Sequence, residues 1–242
     1  MTYCVGLKTD HGLVFMSDTR TNAGVDNVSA FRKMHVWEEP GERVIVLMSS
    51  GNLATTQGVI SLLDERAKAP AERNPTLLAT PSMFQTARLV GDTLREVIAN
   101  STPQGMKQES FAASFILGGQ IKGTEPRLFL IYPEGNFIEA TDDTPFFQIG
   151  ETKYGRPILL RAYDRNMSYE ETVKLLLVSF DSTVKSNLSV GLPLDLLWYR
   201  NNELNVTIRK RIGADDPYYR AISDGWGTAL KNAFKSLPDY SG

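Results

Sequence analysis

The chain has little from which to build cross-links or metal sites: one cysteine, Cys4, and two histidines, His11 and His35, in 242 residues. A lone cysteine excludes an intramolecular disulfide, and Cys and His this sparse leave no zinc cluster. Neither sign of charge is in excess. The 26 Lys and Arg against 28 Asp and Glu give a net charge of −2, so nothing electrostatic points to nucleic acid. Also missing are any apolar stretch near the ~20 residues of a membrane span, the charged-then-apolar start of a secretory signal, and glycine spacings that cradle phosphates. These absences lead us to expect a cytoplasmic globular protein with no metal or cofactor, no nucleic acid and no membrane. What is present is 42% hydrophobic residues, ample for a core, in a length that sheet-rich single domains reach. Residues 1–242 are read as one domain.

The order of elements comes from periodicity and punctuation. Tyr3–Lys8 and Leu13–Ser17 read as strands joined by the Asp10-His11-Gly12 turn, with Asp18 and Arg20 at the end of the second. A loop over Asn22–Asn27 leads to an expected strand at Phe31–Trp37, then a turn at Glu39–Glu42 and an apolar strand at Val44–Met48. After Ser49-Ser50-Gly51-Asn52 the pattern turns helical, with Leu53, Ile60 and Leu63 on one face. A second helix is expected to start at Thr80-Pro81, as cap and first-turn proline. Strands return at Phe111–Leu117, Arg127–Tyr132, Phe137–Ala140 and Phe146–Ile149, with Gly118-Gly119 read as a turn. Helices follow over Lys153–Asp164 and Ser168–Lys185, the latter opening on the capping box Ser168-Tyr169-Glu170-Glu171. Leu194–Tyr199 and Leu204–Lys210 form an expected closing hairpin, and Pro217–Leu237 an amphipathic helix. Segregated runs of strands and helix pairs argue for a layered α+β fold, two sheets with helices on each side, rather than alternating α/β.

Chemistry is suggested first at the start of the chain. Removal of Met1 would expose Thr2, whose hydroxyl and free α-amine together make a nucleophile and its own base. Asp18 and Arg20 follow at the end of the second strand, Lys33 on the third, and Gly51 between the fourth strand and the first helix. This set, together with the stretches Gly12–Arg20 and Ser50–Ala54, resembles the proteasome β-subunit family of N-terminal-nucleophile hydrolases, over most of the chain. The expected lack of a propeptide before the threonine and the tail after the closing hairpin, a C-terminal extension over 213–242, are similar to the bacterial proteasome-related Anbu (ancestral β-subunit) group.

The resemblance implies a four-layer αββα sandwich and a threonine-type peptidase or other amide hydrolase working through an acyl-enzyme. It implies Thr2 as nucleophile, Lys33 as the positive charge beside it, Asp18 as the partner of Lys33, and the Gly51 N–H as oxyanion donor. A single such donor is worth ~10²–10³ in rate. By position, Asp181 falls on the family's late aspartate, with Ser186 and Arg20 in support; Arg20 is expected to brace the Asp18 loop. Two positions depart from the family pattern: Glu151 stands where active members carry serine, and Val184-Lys185 replaces a Ser-Gly pair. The partners implied are a peptide or other amide substrate and further copies of the chain in a ring-like, open-ring or helical homo-oligomer; nothing marks an ATPase dock. The departures keep open an alternative, a proteasome-fold assembly or binding protein with little or no hydrolysis. Thr21, Phe31 and Ser49–Asn52 are expected around the primary pocket. His11 and His35 read as a turn and a strand-surface residue, and Cys4 as structural.

Overall fold

In the computed structural model, residues 2–22, 28–69, 75–102 and 108–241 are described. Met1 and most of the loop expected over Asn22–Asn27 lie outside them. The chain opens with β1 (Tyr3–Thr9), β2 (Gly12–Asp18), and the short strands β3 (Arg20–Asn22) and β4 (Val28–Ala30). Next come β5 (Met34–Glu39), β6 (Arg43–Gly51), α1 (Leu53–Lys68) and α2 (Met83–Ser101). The strands β7 (Ala113–Ile121), β8 (Arg127–Ile131), β9 (Phe137–Glu139) and β10 (Phe146–Gly150) follow. Then α3 (Arg156–Ala162), α4 (Tyr169–Ser186), β11 (Leu194–Arg200), β12 (Ile208–Ile212) and α5 (Pro217–Lys235) complete it.

Two antiparallel five-stranded sheets, in the orders β10-β1-β2-β11-β12 and β5-β6-β7-β8-β9, form the middle of the molecule. Cys4, Phe15, Met48, Ile116 and Phe147 fill the space between them. The outer face of the second sheet packs Ile45, Leu47, Phe115 and Leu117 against Leu63 of α1 and Leu94 of α2. The outer face of the first packs Val5, Leu7 and Met16 against Leu176 and Phe180 of α4 and Tyr219 of α5. The architecture is the αββα sandwich. It explains why β1, β2 and β6 are apolar at almost every position: strands covered on both faces have no solvent side to alternate with.

Several boundaries differ from expectation, each for a local reason. Gly118-Gly119 is no turn but lies inside β7, where a Cβ on Gly118 would sit 2.6 Å from the ring of Phe15. The cap of α2 is Ser82, which accepts the Gln85 N–H at 3.2 Å. The Thr80 hydroxyl is occupied elsewhere, by the Leu77 carbonyl and the Thr86 hydroxyl. The third strand begins at Met34 rather than Phe31, because Phe31 donates its N–H to the Thr19 carbonyl outside the sheet. The closing hairpin pairs at Ile208 rather than Leu204. Its loop is drawn toward the β5–β6 turn, where Gly41 donates to the Leu204 carbonyl and Val206 to the Glu38 carboxylate. The capping box of α4 forms as read, Ser168 and Glu171 each satisfying the other's backbone N–H.

Candidate active site

Thr2 is clamped on both sides of its peptide plane. Its carbonyl accepts the Glu151 N–H at 2.6 Å, and the next N–H, that of Tyr3, donates to Asp18 Oδ1 at 2.9 Å. Tyr3 is itself locked. Its ring lies 4.4 Å from that of Phe180, and its hydroxyl bonds Ser179 and Gln148, each at 2.7 Å. Burial pushes the Tyr3 phenol up to about 12, so the group stays a neutral hydrogen-bonding anchor.

Behind Thr2 lies a buried ion pair. The Lys33 Nζ donates to Asp18 Oδ1 at 2.7 Å and to the Arg20 carbonyl at 2.6 Å. Lys33 is 5% exposed and Asp18 not at all. Burial pushes the Asp18 carboxyl above its ordinary range; the Lys33 charge and the N–H groups of Tyr3 and Gly191 pull the other way. Two charges this deep are tolerable only as a pair with their remaining lone pairs filled, and the two N–H donors fill those of Asp18. Arg20 braces the arrangement: its guanidinium donates to the Leu188 carbonyl at 3.0 Å and lies against Gly191.

Thr2, Lys33 and Gly51 line one cavity of about 730 Å³, with Thr21, Phe31 and His35 among the other walls. Gly51 closes β6 at φ +118, and a Cβ there would strike the backbone of Ala112 and Ala113. Only glycine adopts that conformation readily. Of the expected pocket residues, Thr21, Phe31, Ser49, Ser50 and Gly51 line the cavity, whereas Asn52 turns away to cap α1, accepting the Thr55 N–H at 3.1 Å.

Asp181 and Ser186 are not brought to this cavity. The Asp181 carboxylate sits on the face of α4 turned to α5, where it meets Tyr219 at 3.4 Å and Lys185 at 3.0 Å. Ser186 is exposed at the last turn of α4. The chain approaches Thr2 instead through the segment just after α4. Asn187 donates to the Glu151 carboxylate at 2.9 Å, and Glu151 also accepts the Lys153 N–H at 2.7 Å. The Glu151–Asn187 link has no sequence signal of its own beyond the glutamate standing where the family has serine.

His35 is a wall of the cavity rather than a plain surface residue. Burial holds its imidazole below the ordinary histidine range, with Asp64 opposing. Cys4 is fully buried and burial pushes its thiol well above the usual range, which removes it as a nucleophile. Among the described residues no cluster of His, Cys, Asp and Glu is arranged to hold a metal, and no helix is long and apolar enough to cross a membrane.

The family model for the proteasome subunit matches residues 2–192. The chain belongs to the proteasome-subunit family. Within it, the chain is similar over its full length to an Anbu (Gly-1) mutant from Hyphomicrobium sp. strain MC1, at 52% identity with 100% of both chains covered and a TM-score of 0.93. Anbu (ancestral beta-subunit) from Yersinia bercovieri is 48% identical, with 99% of each chain covered and a TM-score of 0.93. The helical assembly of the Anbu complex from Pseudomonas aeruginosa is 44% identical, covering 99% of this chain and 98% of that one, with a TM-score of 0.92. Among curated proteins no match to the chain is found. The proteasome-subunit match spans both sheets up to the start of β11, and therefore includes every wall of the cavity.

Proposed function

We propose that this proteasome-family chain is a threonine-type amide hydrolase, with peptides as its main substrates. The observation that carries the reading is a clamped threonine in the wall of a cavity that also includes a lysine paired with a buried aspartate. Once Met1 is removed, the Thr2 α-amine takes the proton from Oγ1, and Oγ1 attacks the substrate carbonyl. An α-amine has an ordinary value of about 7.7–8.0, well placed for a base near neutrality. Lys33 favours the developing negative oxygen, and the Gly51 N–H faces the tetrahedral oxyanion. The amine then hands its proton to the departing nitrogen, leaving an ester on Thr2 that water hydrolyses by the same groups in reverse.

Glu151 and Asn187 act in this reading as positioning residues. They hold the strand end that carries Thr2 where active family members use a serine. Self-association is part of the proposal. A relative was solved as a helical assembly, and α5 carries exposed Leu230 and Phe234, with exposed Leu237 just after it, apolar surface of the kind that interfaces use.

A second reading is favoured by Glu151 and by the placement of Asp181 away from Thr2: an assembly or binding protein that keeps the fold without the hydrolysis. Intact mass of protein made from its own start codon, with and without a peptide epoxyketone, separates the two, since that electrophile reacts with the amine and hydroxyl of one N-terminal threonine. The expected result is loss of Met1 and a single adduct, both the adduct and any turnover being absent in Thr2→Ala. Retained Met1, or processed protein that takes no adduct, would favour the second reading.

A further inference from the structure

The cavity beside Thr2 is one-sided in charge. Among the described residues its walls include Arg32, Lys33 and His35 but no aspartate or glutamate. The three are not equivalent. Lys33 is neutralised by Asp18 at 2.7 Å and has a second partner in the Arg20 carbonyl. Burial holds the His35 ring below the ordinary histidine range and so disfavours its charged form. Arg32 is exposed, and its guanidinium forms no ion pair with any described carboxylate.

A second feature adds to the same field. α1 starts at the cavity, with Leu53, Thr56 and Gln57 on its wall, and has no acidic residue in its first turn. The positive end of a helix dipole is therefore left without the usual local anion. Apolar Phe31 and Leu53 stand beside these polar groups, suited to the methylene stem of a side chain that ends in a charge.

We propose that this cavity is a subsite for an acidic side chain, the carboxylate of the residue that supplies the scissile carbonyl, and that Arg32 is its specificity residue. The inference rests on the reading of the site as an amide hydrolase. A guanidinium takes a carboxylate through two parallel N–H donors. A carboxamide of the same shape accepts through one oxygen only, and an ammonium is repelled. The volume of about 730 Å³ holds more than one residue, so the acidic side chain is taken as one part of a longer peptide.

The test separates binding from turnover. Affinities of three matched peptide amides, differing only in Glu, Gln or Lys at the acyl position, are measured by calorimetry on the Thr2→Ala protein, and again with Arg32→Gln and Arg32→Glu added. The Glu peptide is expected to bind about tenfold tighter than the Gln peptide, which is the scale of one charge-assisted contact. Arg32→Gln should erase that preference, and Arg32→Glu should turn it toward Lys. Equal affinities, a preference untouched by either variant, or no binding of any of the three would overturn the proposal. Turnover of the same peptides by the Thr2 protein is then read separately. Selective binding without turnover leaves the acidic subsite standing and the hydrolase reading fallen. Turnover without selectivity does the reverse.

Discussion

Lys33 carries a charge to a depth where only another charge makes it tolerable. Removing one member of such a pair strands its partner, at a cost of about 3–5 kcal/mol. Lys33→Met should therefore lower the unfolding free energy by about that amount in urea titrations, and adding Asp18→Asn should recover much of it. Failure of the double variant to recover would mean that the loss comes from packing. His35 gives a residue-scale effect of pH. Its folded-state value lies below the ordinary 6.5 because burial disfavours the imidazolium. Above about 6.5 both states are neutral and the residue contributes nothing to the pH dependence. As pH falls below that, the unfolded chain takes the proton first, so stability declines until the folded-state value is reached and then levels. The melting temperature of His35→Gln should fall less over this window than that of the parent. Thr2, Thr21, Phe31, Lys33 and Ser49–Gly51 of the cavity wall were legible in the sequence, through the family order in which Thr2, Lys33 and Gly51 recur. Arg32, His35 and the wall supplied by α1 were missed; residues 31, 33 and 35 share a strand-like period of two that should have carried His35 with Lys33, whereas Arg32 falls between them and has no such signal.

Single elements show where local signals win and where they are overruled. The capping box on α4 was readable, because both partners sit within four residues, and Ser168→Ala should cost about 1 kcal/mol in thermal or urea unfolding. Gly51 makes a sharper case, since its conformation and the Ala112 backbone both exclude a side chain. Gly51→Ala should lose about 1–3 kcal/mol through the strained backbone, and should fail to form the epoxyketone adduct even at temperatures where it remains folded. The misread elements share one cause. Gly118-Gly119 has a turn composition, but the ring of Phe15 from another sheet claims the space. Thr80-Pro81 has the composition of a helix start, but Thr80 is bonded to Thr86 further along. In both, a partner distant in sequence or already engaged decided the outcome, and composition carries no record of that.

At the scale of the molecule, the layers were legible from the grouping of strands and helices, while the strand order was not. The first sheet joins β1 and β2, from the start of the chain, to β10, β11 and β12, a pairing that no local pattern encodes. The space between the sheets is where this order is enforced. Phe15→Ala would empty part of that layer and should cost about 3–5 kcal/mol of unfolding free energy, more than the same change at exposed Phe84. The paired Lys33 of the cavity wall and its neighbour Arg32, unpaired among the described residues, differ in one further respect. Lys33 is sealed behind Thr2 with its counter-charge, whereas Arg32 faces solvent. Dissolved ions screen exposed charges over about 8 Å at physiological strength but barely reach buried pairs. Ionic strength is therefore a dial connected to only one of the two: turning it up should blunt the choice of substrate while leaving the reactivity of the threonine as it was.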